Sequence, residues 1–311
     1  MTAADRTQSL GGSEVAAALG LDPRCTPYQL WRRKLGLDPE FSGNAATRRG
    51  QFLEEVILET YRRRLEPKEF QAAVERRDDW RSAHLDGLAS FDDSPVAQRV
   101  VEAKTVSAHA FRSSGWGDPW TDELPRQYLL QVLWYMALTD DAQGADVPVC
   151  VVPDDPDEVL GLSAPEVLKA GQFHVYRVIR TDEVRQMEAD IIAKCREFWR
   201  KVVDRVEPDP VTAEDAALRW PGHVKGKTKV VTPEVAALLA QYAEEGKALT
   251  DAEEAKKSTR EKLVIFAEDA ETLVGPDGRP LATFRTVERP QYTVAAGSYR
   301  ALKMVKPRNK S

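Results

Sequence analysis

Three charged residues lie on two neighbouring predicted strands, where a charge is costly to bury unless it is paired or binds a metal. They are Asp86 in "HLDG" and Glu102 and Lys104 in "VEAKT". Because alternate residues of a strand point to the same side, Glu102 and Lys104 share one face. A turn in the segment "FDDSPVAQ" would let the two strands pair in antiparallel fashion, which would bring Asp86 close to Glu102.

These residues offer an all-oxygen site for a cation. Two carboxylates and the backbone carbonyl of Ala103 are ligands that suit Mg²⁺ or Mn²⁺ better than zinc. Glu54, at the edge of the apolar stripe of a predicted helix, can supply a third carboxylate. A bound cation polarises a phosphoryl oxygen and lowers the pKa of a bound water. Lys104 can position that water or stabilise negative charge at phosphorus, so the pattern is typical of phosphate-ester hydrolysis.

Gln131 is a polar residue on an apolar helix face. At helical spacing its neighbours are Tyr128, Trp134, Tyr135 and Leu138. A buried amide needs a hydrogen-bond partner, and an active-site lysine or water would provide one.

Ordinary structural roles compete with this interpretation. Asp86 precedes a glycine and can simply shape a turn. Glu102 and Lys104 can form a solvated strand face. A carboxylate pair that hydrolyses sugars is a further alternative, but it explains neither Lys104 nor Gln131.

The elements that must position these residues mix helices and strands. An apolar stripe at helical spacing predicts a helix over residues 47–65, and helices are also predicted over 124–139 and 181–204. Strands are predicted over 85–89, 99–105, 147–152 and 173–179. This mixture indicates an α/β fold.

The last third of the chain has a different pattern. The prolines of "EPDPVTAED" indicate a linker, so we expect a core over residues 1–207 and an accessory domain over 211–311. From Pro233 a sparse heptad pattern with polar seam positions predicts a helical hairpin or an imperfect coiled coil. A Pro-Asp-Gly turn predicts a β-hairpin in "ETLVGPDGRPLATFRTV", before a basic tail.

Composition places limits on the class of protein. The 311 residues are 42% hydrophobic and 30% charged, as in soluble globular proteins. No apolar run approaches the roughly 20 residues of a membrane span, so no membrane partner is expected. Three dispersed cysteines favour free thiols in a reducing cytoplasm. The net charge of −6 disfavours nucleic acid at first sight, but residues 211–311 hold 17 Lys and Arg against 14 Asp and Glu.

Five motifs occur in order along roughly the first 200 residues: "GGSEVAAALGL…TPYQLW", "GQFLEE", "HLDG", "VEAKT" and "ELPRQYLLQVLWYMALT". Together they resemble the YqaJ-like viral recombinases, which are phage exonucleases related to the lambda exonuclease. The resemblance implies a restriction-endonuclease-like nuclease core, in which helices flank a central mixed β-sheet. The helical hairpin and β-hairpin would form a smaller domain after it.

The resemblance also assigns roles to individual residues. It implies that Glu54, Asp86 and Glu102 bind the metal ions. It makes Lys104 the catalytic lysine and Gln131 the glutamine that supports it.

Three further residues are candidates for binding phosphates. By the resemblance, Ser13 falls where the family has a phosphate-contacting serine. Arg6, by its spacing from Ser13 alone, matches an arginine that grips the terminal 5′-phosphate. Arg49, which precedes the Glu54 turn, can contact a phosphate or have a plain surface role.

The function implied by the resemblance is 5′-to-3′ digestion of linear double-stranded DNA, which leaves single-stranded tails for phage-type recombination. It implies Mg²⁺ dependence with Mn²⁺ as a substitute, a single-strand annealing protein as partner, and a trimeric ring as in some relatives. An endonuclease of the same fold and a non-catalytic DNA-binding scaffold are the alternatives.

Overall fold

The computed structural model describes residues 7–38, 45–92, 98–154 and 163–288, together with Leu302. By its internal contacts the chain divides into two compact units, residues 1–216 and 217–311. The helices and strands, in chain order, are β1 (Leu10–Gly11), a 3₁₀ turn (Gly12–Glu14), α1 (Val15–Ala18), α2 (Pro27–Lys34), α3 (Ala45–Leu65), β2 (Glu69–Asp78), β3 (Arg81–Ser90), β4 (Gln98–Val101), β5 (Lys104–Ser107), α4 (Ala108–Ser113), α5 (Arg126–Met136), β6 (Ala142–Val152), α6 (Ala164–Ala170), β7 (Gln172–Ile179), α7 (Asp182–Val203), α8 (Ala213–Arg219), α9 (Pro233–Ala267), β8 (Thr272–Val274) and β9 (Pro280–Thr283).

A seven-stranded mixed sheet forms the core of the first unit. Strand β3 pairs with β2 and β4 in antiparallel fashion and with the short β1 in parallel. Strands β4 and β5 both run parallel to β6, and β7 pairs with β6 in antiparallel fashion. The central mixed sheet flanked by helices is therefore confirmed, as is the predicted antiparallel pairing of the strands that carry Asp86 and Glu102.

Strands β4 and β5 are two parts of one row, interrupted at Glu102 and Ala103. Both follow the edge of β6 that β7 leaves open. The carbonyl of Asp146 accepts the N–H of Glu102, so Pro148, two residues further on, faces the same edge. Because proline has no N–H to donate, the hydrogen-bond ladder cannot continue opposite Glu102.

Helices cover both faces of this sheet. Helix α3 packs onto one face, where Leu53 and Ile57 cluster with Cys150 and Tyr61 clusters with Val101. Helices α5 and α7 contribute to the larger cluster on the other face, where Trp134 is fully buried. The break at Glu102 therefore lies between two helical layers.

A buried charge cluster ties the α3 face together. Asp146 on β6 is fully buried, and its carboxylate accepts two hydrogen bonds from the Arg177 guanidinium, at 2.8 and 2.9 Å. The Tyr61 hydroxyl donates a third at 2.8 Å, and Arg99 lies 3.7 Å away. A bidentate arginine–carboxylate pair is among the stronger polar contacts, so this cluster joins β4, β6, β7 and α3.

The second unit corrects one prediction. The expected helical hairpin is wrong: α9 is one continuous helix of 35 residues, whose N-terminus is capped by Thr232. Its middle contains no proline, and a single isolated glycine, Gly246, is tolerated within a helix. The β-hairpin is confirmed, since β8 and β9 pair in antiparallel fashion around Gly278, whose φ is +77°. The basic tail, except Leu302, lies outside the described residues.

The segment that the sequence analysis treats as a linker contacts the first unit. Glu207 accepts a hydrogen bond from the Tyr28 hydroxyl at 3.1 Å, and the buried Asp215 accepts one from Thr26 at 2.8 Å. The boundary between the compact units follows at residue 216. Among the described residues, no helix is long and apolar enough to cross a membrane.

Asp146→Ala tests the charge cluster. The variant leaves Arg177 without its counter-ion and the Tyr61 hydroxyl without its acceptor, so we expect the free energy of unfolding to fall by about 2–4 kcal/mol. Asp146→Asn keeps one acceptor and should lose less. Urea unfolding followed by tryptophan fluorescence measures both, and an alanine variant as stable as wild type would contradict the assignment.

Candidate active site

Glu102 is buried at the break between β4 and β5, and its two carboxylate oxygens have different surroundings. The residue is only 4% exposed. Oε1 accepts hydrogen bonds from Lys104 Nζ at 2.5 Å and from Gln131 Nε2 at 2.6 Å. Oε2 is buried and has no hydrogen-bond partner among the described residues. One oxygen is therefore fixed by the protein, and the other is available to a ligand.

Gln131 fixes this carboxylate from helix α5. Its amide nitrogen also contacts the hydroxyl oxygen of Tyr135, one helical turn away, at 2.9 Å. The partner of Gln131 is thus the Glu102 carboxylate, rather than the lysine or water that the sequence suggested. Tyr135, which the sequence analysis treats only as an apolar neighbour, aligns the amide.

Asp86 lies beside Glu102 through the pairing of β3 with β4. Gly87 is opposite Val101, so Asp86 falls opposite Glu102 in the same register. Asp86 Oδ2 accepts the backbone N–H of Ala103 at 2.8 Å. Burial raises the pKa of Asp86, although the charge of Lys104, this hydrogen bond and a side-chain contact with Glu102 act in the opposite direction.

Glu54 reaches the same region from helix α3. It is half-buried, whereas the adjacent Glu55 is exposed. Burial and the nearby charge of Asp86 raise the pKa of Glu54, and Lys104 opposes that shift. Glu54 therefore belongs electrostatically to the group formed by the other two carboxylates and Lys104.

The charge balance of the group favours an added cation. Burial raises the pKa of Glu102 to about 8, since the charges of Asp86 and Glu54 add to an effect that Lys104 only partly offsets. Ionising each carboxylate beside the others therefore costs free energy, and a divalent cation would lower that free energy. The hard oxygen donors and the unpartnered Oε2 fit Mg²⁺.

The described arrangement is not a ready-made coordination shell. Among the residues that the structure describes, no three His, Cys, Asp or Glu side chains converge as a metal-binding group. Asp86 Oδ2 and Glu102 Oε1 both accept hydrogen bonds from protein donors. The oxygen donors and the negative charge of the group suit Mg²⁺, whereas the Asp86 and Glu102 side chains, in their present directions, do not surround an ion.

Lys104 keeps its positive charge in this setting. Burial alone would lower its pKa, but Glu102 and Asp86 outweigh that effect, and the pKa is raised. The ammonium also lies 5.1 Å from the ring centre of Tyr128. Lys104 can therefore supply positive charge, and it is not poised to accept a proton.

The predicted phosphate-binding residues are not gathered in the same way. Ser13 is exposed on the 3₁₀ turn. Arg6 lies outside the described residues, and of Arg49 only the position in helix α3 is described. The structure thus brings together Glu54, Asp86, Glu102, Ala103, Lys104 and Gln131.

The 3₁₀ turn packs against Tyr135, which contacts Gln131 of the site. A Cβ atom on Gly12 would lie 2.2 Å from the Tyr135 ring, so only glycine permits this close approach. Glu14, at the end of the turn, accepts hydrogen bonds from the Gly11 N–H at 2.9 Å and from Lys34 Nζ at 2.6 Å. Sequence reasoning missed Lys34, but the second glycine of "GGSE" was a signal of close packing.

Part of the chain is similar to known proteins. Residues 3–142 match the model of the YqaJ-like viral recombinase domain. The family resemblance predicted from the motifs is therefore confirmed for this part of the chain. The uncharacterized protein YqaJ of Bacillus subtilis (strain 168) is 29% identical over 137 residues, which are 43% of this chain and 40% of that protein's length.

Solved structures with a similar chain path include an alkaline exonuclease, LHK-Exo, from Laribacter hongkongensis. The similarity covers 70% of this chain and 94% of that one, with 20% identity and a TM-score of 0.44. A phage-related exonuclease from Haemophilus somnus 129PT is 14% identical over 63% of this chain and 96% of its own, with a TM-score of 0.42.

Gly12→Ala tests how the YqaJ-like region holds its site residues. The added methyl group must displace the buried Tyr135 ring, and we expect a loss of about 1–3 kcal/mol in the free energy of unfolding. Gly11→Ala is the matched control, because its Cβ would meet its nearest neighbour, Glu14 Oε2, at an ordinary 3.6 Å. Thermal unfolding compares the two, and equal losses would refute the proposed close contact.

Proposed function

We propose that this protein is a metal-dependent nuclease that hydrolyses phosphodiester bonds of linear double-stranded DNA from its ends, in the 5′-to-3′ direction. The observation that carries the proposal is the buried Glu102, with one oxygen fixed and one free, beside Asp86 and a charged Lys104. The match to the viral recombinase domain supports DNA as the substrate. Single-stranded tails are the product, and a single-strand annealing protein is the partner that would use them.

Three carboxylates would hold the ion. They are Glu54, Asp86 and the free Oε2 of Glu102, with the backbone carbonyl of Ala103 as a further donor. When bound, Mg²⁺, or Mn²⁺ in its place, polarises a phosphoryl oxygen and lowers the pKa of a bound water.

The chain's own residues prepare the remaining parts of the reaction. The Lys104 ammonium, buried beside Glu102, stabilises the negative charge that develops at phosphorus. Gln131 keeps Glu102 from rotating, and Tyr135 keeps Gln131 in place. Gln131 and Tyr135 are positioning residues, since they act through Glu102.

Digestion of DNA tests this proposal. Linear duplex with 5′-phosphates and closed circular DNA are incubated with the protein and Mg²⁺. We expect loss of the linear duplex alone, and no loss with EDTA. Lys104→Ala should lower the rate by about 10²–10³-fold while DNA binding persists, because the charge that opposes the developing negative charge is gone. A label on the 5′ strand end should be released before a label on the 3′ end.

A matched pair of variants compares the loss of a carboxylate in the site with the loss of one on the surface. Glu54→Gln removes a half-buried carboxylate of the group, whereas Glu55→Gln makes the same change at the next, exposed position of α3. Only the first should lose activity. Cutting of the circle would make the protein an endonuclease instead, and end binding without any cleavage would make it a scaffold.

A further inference from the structure

Helix α9 carries a stripe of large apolar side chains that stay exposed in the described structure. They recur at heptad spacing and are 42–76% exposed. The stripe consists of Val235, Leu238, Tyr242, Leu249, Leu263 and Phe266. Alternating steps of three and four residues keep such side chains on one side of a helix, which is the seam of a coiled coil. At 1.5 Å per residue the seam is about 47 Å long.

The two ends of this seam are complementary to each other. If a second α9 lies against the first in antiparallel orientation, the two outermost apolar residues at one end face the two outermost apolar residues at the other. The facing pairs are Val235 with Phe266, Leu238 with Leu263, Tyr242 with Thr259, Glu245 with Lys256, and Leu249 with Ala252.

The charged seam positions select this orientation. Glu245 and Lys256 weaken the apolar pattern, and a parallel pair of helices would place each opposite its own copy, as like charges. In the antiparallel pair Glu245 of each helix faces Lys256 of the other, which gives two opposite-charge contacts. Charged residues at a seam commonly fix partner and orientation in this way.

The matching half must come from another molecule. A hairpin within one chain would need a turn near Leu249 and Ala252, but α9 is helical throughout that stretch. We propose that α9 joins two copies of this chain through an antiparallel two-helix coiled coil. This interface is independent of the nuclease chemistry proposed above.

One other occupant of the seam is visible in the structure. Leu302 lies with Val235, Leu238 and Tyr242 around a cavity of about 330 Å³ at the N-terminal end of α9. Leu302 is itself 61% exposed, and the seam residues remain exposed beside it. It therefore leaves apolar surface that a second helix can bury.

Reciprocal charge changes test the proposal on the full-length chain. Sedimentation equilibrium should give a dimer for wild type, rather than the trimer that the family resemblance implies. Glu245→Lys and Lys256→Glu should each weaken self-association by at least about tenfold, because each places like charges face to face. A mixture of the two variants, and the double variant, should regain it, since opposite charges again meet. Glu244→Lys and Lys257→Glu make the same charge changes on neighbouring positions outside the seam and should dimerise like wild type.

Several results would overturn the proposal. A wild-type chain that is monomeric at tens of micromolar lacks the interface. Dimerisation that appears only with Leu302→Glu would make the chain's own tail the occupant. Failure of the mixture to recover would exclude the antiparallel pairing. An oligomer that none of the seam variants alters would be assembled elsewhere.

Discussion

The site depends on one constraint: the Glu102 carboxylate must stay buried where the sheet is interrupted between β4 and β5. Pro148 interrupts the hydrogen bonding opposite Glu102, so the strand is broken there between β4 and β5. A carboxylate in such a place is tolerated only when its charge is met, and Lys104 and Gln131 meet it at a single oxygen. The close packing of Gly12 on Tyr135 then holds the amide in place.

Much of this site could be predicted from residue types and spacing. Charged residues two apart in a predicted strand share a face, and that made Glu102 and Lys104 visible. The strand predicted over residues 99–105 is in fact interrupted at Glu102 and Ala103, although the two charged side chains still meet. A lone glutamine on an apolar helix face had to have a partner, but the identity of that partner could not be predicted. It depends on how α5 crosses the sheet, and no local pattern encodes that crossing.

Other features depend on pairing partners far apart in the chain. Pro148 interrupts the ladder only because β4 and β6 pair in one particular register. The fully buried Asp146 directly precedes the strand predicted over residues 147–152, but its partner Arg177 lies on another strand, so no local pattern indicates the pair. In α9 the error was different. The heptad pattern predicted two helical segments that face each other. Because the residues between those segments do not form a turn, the helix is continuous.

We propose that the two oxygens of Glu102 have separate roles: the protein holds one, and the other would bind a metal ion. A crystal structure of the protein with Mn²⁺, recorded at a wavelength where manganese scatters anomalously, tests this directly. The account predicts an anomalous peak within bonding distance of Glu102 Oε2, with Oε1 still held by Lys104 and Gln131. A peak that lies away from Glu102, or a manganese ion bound through Oε1 with Gln131 displaced, would contradict it.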